Sequence, residues 1–397
     1  MRIFSPELYV KISDSDYIFL VANKDENENF EIIYKNTVHI NLGSPNVANL
    51  QAMISIVKKN LFQIEQKINF LFKEVIIILN DSNSSFVSLS GFKKLNGSQI
   101  QKENISYIIN LSKTNLEHNE SSKKIIHIFN AKSYLDKKRF DNLPIGLFGD
   151  FYSHELTFCL SNNNNQKNFH NIFNRCNLKI KKFILLNYLK GTYISEQNQN
   201  LNSFFFIKIN NESSEVFFFE DGTLIFEQKF DFGTNLVLQD ISKVTSLKFE
   251  KVKKILENLD FSKKILKDDL IARDFFEDEN YRKIKKSLLY DVAQARIEEF
   301  SELIITKNVN LKSFLKKDLM ILLNINYLNN HNYFKEAYNS SFSNNNYFKL
   351  NFTEDISIER LIEQANKIVH FGWKKEAVPV VDSQKSVMKR LFDTIFS

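Results

Sequence analysis

A pattern that occurs twice limits the fold of this chain more than any other feature: two apolar strands joined by a short polar turn. The first copy lies in ELYVKISDSDYIFLVAN (7–23), and the second lies in SFFFIKINNESSEVFFFEDG (203–222). Apolar residues of the second copy occupy both strand faces, which is typical of strands buried in a sheet. The sequence therefore predicts a duplicated α/β fold in which each half opens with a β-hairpin.

Composition indicates a globular protein and excludes several kinds of site. Of the 397 residues, 43% are hydrophobic and 25% are charged, and the formal net charge of +6 is spread along the chain. This mild charge does not favour nucleic acid as a partner. Cys159 and Cys176 show neither metal-ligand spacing nor a disulfide framework, which fits a reducing cytoplasm. The histidines form no cluster, so we predict no metal site.

The sequence predicts neither a signal peptide nor a membrane span. The stretch MRIFSPELYVKI (1–12) carries Pro and Glu where a signal peptide needs an apolar core. A helix that crosses a bilayer needs roughly 20 apolar residues, and no stretch approaches that length. Only the C-terminal residues have a pattern that suits a bilayer surface.

The last twelve residues, SVMKRLFDTIFS (386–397), predict an amphipathic helix. At about 100° per residue, six large apolar side chains fall on one half of this helix. They are Val387, Met388, Leu391, Phe392, Ile395 and Phe396. Three basic residues are available to anionic lipid: Lys385, Lys389 and Arg390. Such a helix docks either on its own protein or on a membrane. Because the preceding stretch (370–385) lacks helical periodicity and is predicted to be a linker, we expect the membrane.

The rest of the chain alternates predicted helices and strands. A long helix is predicted at 49–72 and a strand at 74–80, and residues 166–191 are predicted to form a helix and then a strand. The asparagine run 162–165 is predicted to be a loop. Residues 240–305 are predicted to be mostly helical.

Four stretches of the chain, taken in order, carry the motifs of a known family. The first is IIHIFNAKSYLDKKRFDNLPIGLFGDFYSHELTFCL (125–160), with Tyr134, Asp136, Pro144, Gly146, Gly149 and His154. The second is FEDGTLIFEQKFDFGTNLVLQDI (219–241), with Gly222, Leu224, Gly233, Asp240 and Ile241. The third is DVAQARIEEFSELI (291–304), which carries Ala-Arg-x-Glu-Glu, and the fourth is the amphipathic tail. In this order they resemble FtsA, a family of actin-like bacterial cell division proteins.

The resemblance implies an actin-like α/β fold, ribonuclease H-like and duplicated, with two lobes, an inserted subdomain and a C-terminal amphipathic helix. It divides the chain into a first lobe at 1–80 and 165–200, an inserted subdomain at 81–164 and a second lobe at 201–370, in which 243–292 form a smaller subdomain. Residues 371–385 are then the linker, and residues 386–397 are the membrane-targeting helix.

The resemblance also implies a function. FtsA proteins tether the FtsZ filament, or Z ring, to the cytoplasmic membrane, self-associate into filaments and recruit downstream division proteins. The partners expected here are FtsZ through its acidic C-terminal peptide, an anionic membrane surface, further copies of the chain and downstream division proteins, without nucleic acid. The expected location is the cytoplasmic face of the bacterial inner membrane, at the division site.

The chain departs from the family pattern at the nucleotide site. The first phosphate-binding hairpin of the family carries Asp-x-Gly, where this chain has Lys11-Ile12-Ser13. The second carries Asp-x-Gly-Gly-Gly-Thr-Thr, where this chain has Lys208-Ile209-Asn210-Asn211-Glu212-Ser213-Ser214. A family Glu near adenine corresponds to Lys251, whereas Gly233 and Lys254 match. The chain has no glycine between Gly233 and Gly372, so the family's Gly-Gly loop near adenosine is missing.

These departures predict the loss of ATP hydrolysis. Both carboxylates that would hold Mg²⁺ and the attacking water are lysines, and phosphoryl transfer needs that metal ion. By family, ATP and Mg²⁺ would bind, but we expect no cofactor here. Two alternatives stay open for Lys11 and Lys208. They hold a nucleotide in place of Mg²⁺ without cleaving it, or they pair with Asp14, Asp16 or Glu212 and close the site.

Two other functions also stay open. One is a nucleotide-binding actin-like ATPase, and the other is an actin-like scaffold of a pilus or secretion assembly. The inverted, glycine-free hairpins argue against the first, and the amphipathic tail argues against the second. We therefore predict a membrane tether of the FtsZ filament that does not hydrolyse ATP.

Overall fold

The computed structural model describes most of the chain in two compact units. The described residues are 6–13, 15–24, 30–40, 49–80, 84–198, 201, 203–220, 222–258, 269–276, 280–325, 332–343, 347–373 and 375–377. Unit 1 comprises Met1–Leu186 and Ala365–Ser397, and unit 2 comprises Asn187–Gln364.

Helices and strands alternate through both units. Unit 1 contains, in chain order, β1 (Glu7–Ile12), β2 (Asp16–Lys24), β3 (Phe30–His39), α1 (Leu50–Ile68), β4 (Glu74–Leu79), β5 (Ser85–Lys94), α2 (Lys102–Asn119), β6 (Lys123–Leu135), β7 (Lys138–Phe140), β8 (Phe151–Asn162), α3 (Asn163–Asn174) and β9 (Lys179–Leu185). Helix α4 (Leu186–Gln197) leads into unit 2, which contains β10 (Phe204–Ile209), β11 (Ser214–Glu220), β12 (Thr223–Phe230), α5 (Thr234–Thr245), α6 (Phe249–Asn258), α7 (Lys286–Ser301), β13 (Met320–Ile325), α8 (Asn332–Ser343) and β14 (Lys349–Phe352). Helix α9 (Ile358–Phe371) returns the chain to unit 1.

A five-stranded mixed sheet lies at the centre of each unit, and the two sheets share one strand order. The order is β3-β2-β1-β4-β9 in unit 1 and β12-β11-β10-β13-β14 in unit 2. In each sheet, the first three strands form an antiparallel meander, and two later strands continue in parallel from the first strand. The predicted duplication is confirmed, and so is the predicted actin-like α/β fold class.

A third, antiparallel sheet lies within the segment predicted as an inserted subdomain. Its strand order is β5-β8-β6-β7, and α2 packs on one of its faces. The buried side chains of α2 and β8 form a core of their own, which includes Ile108, Leu156 and Phe158. Gly91 in β5 permits the close approach of α2, because a Cβ at this position would lie 2.4 Å from Cγ2 of Ile108.

Phenylalanine rings fill the centre of unit 2. Three consecutive residues of β10 lie opposite three of β11, in the pairs Phe204–Phe219, Phe205–Phe218 and Phe206–Phe217. The ring centroids of these pairs are 4.8, 4.7 and 5.9 Å apart. Such aromatic pairs add about 0.5–1.5 kcal/mol each beyond the area they bury. All six rings are buried, as the apolar runs on both strand faces predicted.

The asparagine run is not the loop that the sequence predicted. Helix α3 begins at Asn163, directly after β8. The Asn162 side-chain oxygen accepts hydrogen bonds from the backbone N–H groups of Asn164 at 2.9 Å and Asn165 at 3.3 Å. Asparagine is a favoured N-cap because it satisfies amide groups that have no partner within the helix. The run therefore starts a helix. Residues 186–197 are also helical, although a strand was predicted up to residue 191.

Three residues of the predicted linker 371–385, residues 375–377, pair with a strand of unit 1. The backbone N–H of Ala377 donates to the Ile128 carbonyl, and the Asn130 N–H donates to the Lys375 carbonyl, both at 2.7 Å. Residues 375–377 thereby lie antiparallel to β6, and Ala377 is buried in the core beneath α2. Residues 378–397, including the entire predicted membrane helix, lie outside the described residues, so that helix stays a prediction.

No helix of the described ranges is both long enough and apolar enough to cross a membrane.

Candidate functional site

The first predicted phosphate hairpin, between β1 and β2 in unit 1, is closed by its own polar groups. The Ser13 backbone N–H donates to the Asp16 carbonyl at 2.9 Å, and Ser13 Oγ accepts from the Asp16 N–H at 3.1 Å. The Asp16 carboxylate accepts from Ser15 Oγ at 2.8 Å and lies 2.6 Å from His39 Nδ1. The Ser15 hydroxyl, His39 and Lys11 together hold the pKa of Asp16 below its usual value. Lys11 therefore stabilises the ionised carboxylate of Asp16 in its own hairpin.

The second predicted phosphate hairpin, residues 210–213 in unit 2, packs directly on the N-terminus of α5. The Asn210 carbonyl accepts from the Thr234 N–H, and the Asn211 carbonyl accepts from the Asn235 N–H, both at 2.9 Å. Gly233 fits between them, since a Cβ there would lie 2.2 Å from the Asn210 oxygen. A helix N-terminus binds anions through its first, otherwise unpartnered amide groups. Here two of those groups bind the hairpin instead.

This turn keeps its shape without the family's glycines. None of the four turn residues, 210–213, has a positive φ. The Asn210 N–H donates to the Ser213 carbonyl at 2.8 Å and closes the turn, and the buried Ser214 hydroxyl donates to the Phe232 carbonyl at 2.8 Å. Asn211 and Glu212 are exposed at its tip. Ordinary backbone conformations therefore suffice where the family uses glycine.

Lys208, which replaces the second family carboxylate, has an ion-pair partner that the sequence analysis did not name. Its Nζ lies 3.9 Å from Asp355 Oδ1, and the two side chains are 21% and 59% exposed. Asp355 follows β14, far from Lys208 in sequence. Only the parallel pairing of β10, β13 and β14 brings the two residues to the same edge.

Two buried polar atoms at this edge have no hydrogen-bond partner among the described residues. Asn324 of β13 lies opposite Lys208 of β10, and its Nδ2 donates to the Thr353 carbonyl at 3.0 Å. The unpartnered atoms are Asn324 Oδ1 and Thr353 Oγ1. An unpartnered buried polar atom costs about 1–3 kcal/mol, and ligands of open α/β sheets bind outside the carboxyl ends of the strands. The polar groups of this edge are therefore placed where a ligand of such a sheet would bind.

The residues of this edge do not fit a nucleotide that carries Mg²⁺. Magnesium binds carboxylates and substrate phosphates, but Lys208 supplies a positive charge and Asp355 is its counter-ion. Within the described ranges, no group of three His, Cys, Asp or Glu residues could hold a metal ion.

The other predicted nucleotide residues belong to other elements of the two units. Lys254 is exposed on α6, and Lys251, on the same helix, has a buried Nζ without a hydrogen-bond partner in the described part of the chain. Lys11 and Ser13 belong to unit 1, whereas Lys208, the second hairpin, Gly233 and Lys254 belong to unit 2. Asp14 lies outside the described residues.

The first family motif has a structural role in the inserted sheet. Asp136 and Lys137 form the two-residue turn between β6 and β7, both with positive φ. The Asp136 carboxylate accepts from the backbone N–H groups of Asp150 at 3.0 Å and Phe151 at 2.8 Å. Gly149 fits beneath it, because a Cβ there would lie 2.3 Å from Leu135 Cδ1. These motif residues hold the end of the sheet together.

The second and third family motifs meet in unit 2. Arg296 of α7 donates from Nε to Asp240 Oδ2 of α5 and from Nη1 to Glu299. The Arg296 and Asp240 side chains are 24% and 20% exposed, respectively, so water screens their ion pair only partly. The pair fixes α5, whose N-terminus binds the second hairpin, against α7.

Two curated relatives match the chain over much of its length. One is the cell division protein FtsA of Buchnera aphidicola subsp. Schizaphis graminum, 22% identical over 209 residues, which are 53% of this chain and 50% of that protein. The other is FtsA of Buchnera aphidicola subsp. Acyrthosiphon pisum, 20% identical over 323 residues, which are 78% of this chain and 74% of that protein. The resemblance to FtsA is confirmed. The first match spans only half of the FtsA relative's length. No protein-family model matches the chain.

Solved structures with similar folds share little sequence with this FtsA-like chain. A PilM–PilN type IV pilus biogenesis complex gives a TM-score of 0.49 at 8% identity, covering 93% of this chain and 97% of that chain. MreB5 of Spiroplasma citri bound to ADP gives 0.41 at 10% identity, with the same two coverages. At these values, the fold assignment rests on the strand order of the two central sheets.

Proposed function

We propose that this chain is an FtsA-like cell division protein that tethers FtsZ filaments to the cytoplasmic face of the bacterial inner membrane without hydrolysing ATP. The observation that carries the proposal is the similarity to two proteins named cell division protein FtsA, the longer match covering 78% of the chain. The duplicated sheets and the order of the four motifs support it.

The membrane contact is assigned to residues 386–397. Full burial of a large apolar side chain is worth roughly 1.5–3 kcal/mol, but helix formation costs entropy and insertion is only partial. Each basic residue near anionic lipid adds about 1 kcal/mol. One tail therefore binds weakly, whereas a row of tails on a polymer binds firmly through effective concentration. Assembly then controls attachment.

The second hairpin supports the proposal that the chain does not hydrolyse ATP. The amide groups at the start of α5 bind hairpin carbonyls, and Lys208 stands where a carboxylate would hold Mg²⁺. Phosphoryl transfer needs a cation that bridges the phosphates and neutralises developing charge. A lysine at this position binds phosphate at most, without activating water.

A basic segment before α7 is our candidate docking surface for the acidic C-terminal peptide of FtsZ. Arg282 donates to the carbonyls of Thr245 at 3.1 Å and Ser246 at 2.9 Å, so it holds the end of α5. Lys283 and Lys285 are exposed. Opposite charge would steer an acidic peptide toward these two lysines.

The membrane part of this proposal is tested by co-sedimentation with anionic vesicles. We expect the full chain to pellet with the vesicles at a concentration that permits assembly, and Phe392→Asp or a chain ending at Gln384 to stay in solution. Thr394→Ser, on the polar half of the helix, is the matched control and should pellet. If the full chain stays in solution under assembly conditions, the proposal is wrong.

A further inference from the structure

Unit 1 has an open groove that the proposed function does not use. The groove lies at the amino ends of β1 and β4 and has a volume of about 440 Å³. Its lining includes Leu8, Phe70, Leu71, Phe72, Glu74 and Lys181. Leu71 is 75% exposed and Phe70 is 36% exposed, so the apolar floor is open to solvent. We call this feature the edge groove.

The edge groove is large enough for several side chains. Its volume falls in the range of roughly 300–1,000 Å³ that is typical of pockets for drug-sized ligands. Phe70 and Phe72 pack edge to face with ring centroids 5.0 Å apart, and Phe72 is buried. The backbone N–H of Phe72 donates to Glu65 Oε1 of α1 at 3.0 Å, which fixes the loop that carries these rings. The floor is therefore a formed apolar surface.

The end of the described chain binds β9, a strand that also lines the edge groove. Glu376 Oε2 lies 2.9 Å from Lys182 Nζ. The preceding residue, Lys181, lines the groove and lies 2.8 Å from Glu7 Oε1. Consecutive Cα atoms are about 3.8 Å apart, and eight extended residues span at most about 28 Å. Residues 378–385 can therefore carry the tail from Ala377 to the groove.

We propose that the amphipathic tail, residues 386–397, docks in the edge groove of its own chain when no membrane is present. The inference rests on the proposed function, because it gives the membrane helix a second, inactive position. The apolar half of the helix covers Phe70 and Leu71. The groove rim carries one positive and one negative residue, Lys73 and Glu74, and both are exposed. The polar half of the helix likewise carries both positive and negative residues.

The two positions of the tail exclude each other, because both bury the same apolar face. Docking within the chain is favoured by a short connection and a correspondingly high effective concentration. A ligand shifts such an equilibrium only through its preference for one state. Anionic lipid contacts the free tail alone, so a membrane draws the tail out of the groove. A chain in dilute solution then keeps its membrane helix covered.

Cross-linking in the full chain tests this inference without a membrane. We pair Lys73→Cys at the groove rim with Asp393→Cys on the polar half of the tail and add a short bifunctional maleimide. Both native cysteines are buried. We expect a cross-link within one chain, reduced about tenfold by Phe392→Asp, which corresponds to ~1.4 kcal/mol of docking free energy. Anionic vesicles should reduce it similarly.

The matched control moves the first cysteine to the opposite end of α1. Gln51 is exposed and lies about 26 Å from the end of that helix, at 1.5 Å per residue. Gln51→Cys with Asp393→Cys should give no cross-link. A second variant acts on the groove: Leu71→Asp replaces an exposed residue, so the fold should tolerate it, and it should raise the fraction bound to vesicles about tenfold.

Three results would overturn the inference: no cross-link although a monofunctional maleimide labels both cysteines, a cross-link only between chains, or a cross-link that persists with Phe392→Asp. The outcome is separable from that of the proposed function. A groove cross-link in a chain that never binds vesicles supports docking and contradicts the membrane role. Vesicle binding without a cross-link supports the membrane role and contradicts docking.

Discussion

Lys208 Nζ lies 3.9 Å from Asp355 Oδ1 at the carboxyl edge of the central sheet of unit 2. A carboxylate at the Lys208 position would hold a magnesium ion in an active actin-like ATPase, by the resemblance described above. Here the lysine neutralises a nearby carboxylate instead. The charged side chains at this edge therefore pair with each other within the protein.

We expect the full chain to release no phosphate from Mg-ATP above the rate in buffer, because Lys208 puts a positive charge where the family pattern has a carboxylate that holds Mg²⁺. The measurement is steady-state phosphate release, with titration calorimetry for ATP binding. Turnover that scales with protein concentration and disappears in Lys208→Ala would contradict this expectation.

Arg296→Ala should lower the free energy of unfolding by about 1–3 kcal/mol, because it leaves the partly buried Asp240 carboxylate without its counter-ion. Chemical denaturation of the full chain measures this change. Arg360→Ala, at an exposed position of α9, is the matched control and should stay within about 0.5 kcal/mol of the parent. Equal effects of the two variants would show that the Asp240–Arg296 pair contributes nothing.

Gly233→Ala should destabilise unit 2 by about 1–3 kcal/mol through overpacking, because the new methyl group would meet the Asn210 carbonyl at 2.2 Å. The φ of Gly233 is −158°, so the contact and not the backbone conformation requires glycine. Gly372→Ala provides a contrast: it has open space but a φ of +72°, and should cost about 1–2 kcal/mol. Hydrogen exchange of the Thr234 and Asn235 amides should accelerate only in Gly233→Ala.

Stability should fall between pH 6.5 and pH 4 because of His154. This residue is fully buried, its ring nitrogens have no hydrogen-bond partner among the described residues, and burial lowers its pKa to about 4. In the unfolded chain this histidine has a pKa near 6.5, so between pH 6.5 and pH 4 the unfolded chain binds more protons than the folded chain. The free energy of unfolding therefore falls by roughly 3 kcal/mol by pH 4. His154→Leu should reduce the difference between unfolding midpoints at pH 7.5 and pH 5.

The control for this prediction is His118→Leu, at the exposed end of α2, which should leave the pH dependence unchanged. An identical pH dependence in His154→Leu and the parent would rule out His154 as the cause. Some acid loss should remain below pH 4.5. The pKa of Glu376 is lowered to about 2, so its stabilising contribution is present above pH 4.5 and disappears as the pH falls toward 2.

Glu376→Ala should cost more stability than Glu376→Gln. The Leu185 N–H donates to His127 Nε2 at 3.2 Å, so His127 Nδ1 carries the proton and donates to Glu376 at 2.9 Å. Glutamine keeps an acceptor for that buried proton. Alanine leaves the proton without a partner, which should lower the free energy of unfolding by about 1–3 kcal/mol. Denaturation of both variants checks the order. Equal losses would mean that the charge on Lys182 matters more than the hydrogen bond.

Much of the fold could be predicted from local patterns. The apolar runs around Phe206 and Phe218 predicted buried strands because both faces of each strand are apolar, and the two hairpins predicted the duplication. The error at Asn162 also has a local cause: asparagine is common both in loops and at helix N-caps, and its neighbours do not decide between these roles.

The candidate site was less predictable because its contacts join distant parts of the chain. Lys208 meets Asn324, Thr353 and Asp355 only because parallel strands pair. No fixed spacing in the sequence therefore indicates that these residues lie together. A polar residue that interrupts an apolar run, as Asn324 does in MILLNI, was the available signal. The contact of Ala377 with β6 is equally non-local, and no local pattern around residues 375–377 indicates it.

The central claim is that this chain connects FtsZ to a membrane, and vesicle flotation tests it most directly. Purified FtsZ, anionic vesicles and the full chain are floated together, with Phe392→Asp as the variant that lacks the membrane contact. We predict that FtsZ rises with the vesicles only when the unmodified chain is present. If the chain rises with the vesicles but leaves FtsZ behind, or if Phe392→Asp carries FtsZ equally well, the tether account is contradicted.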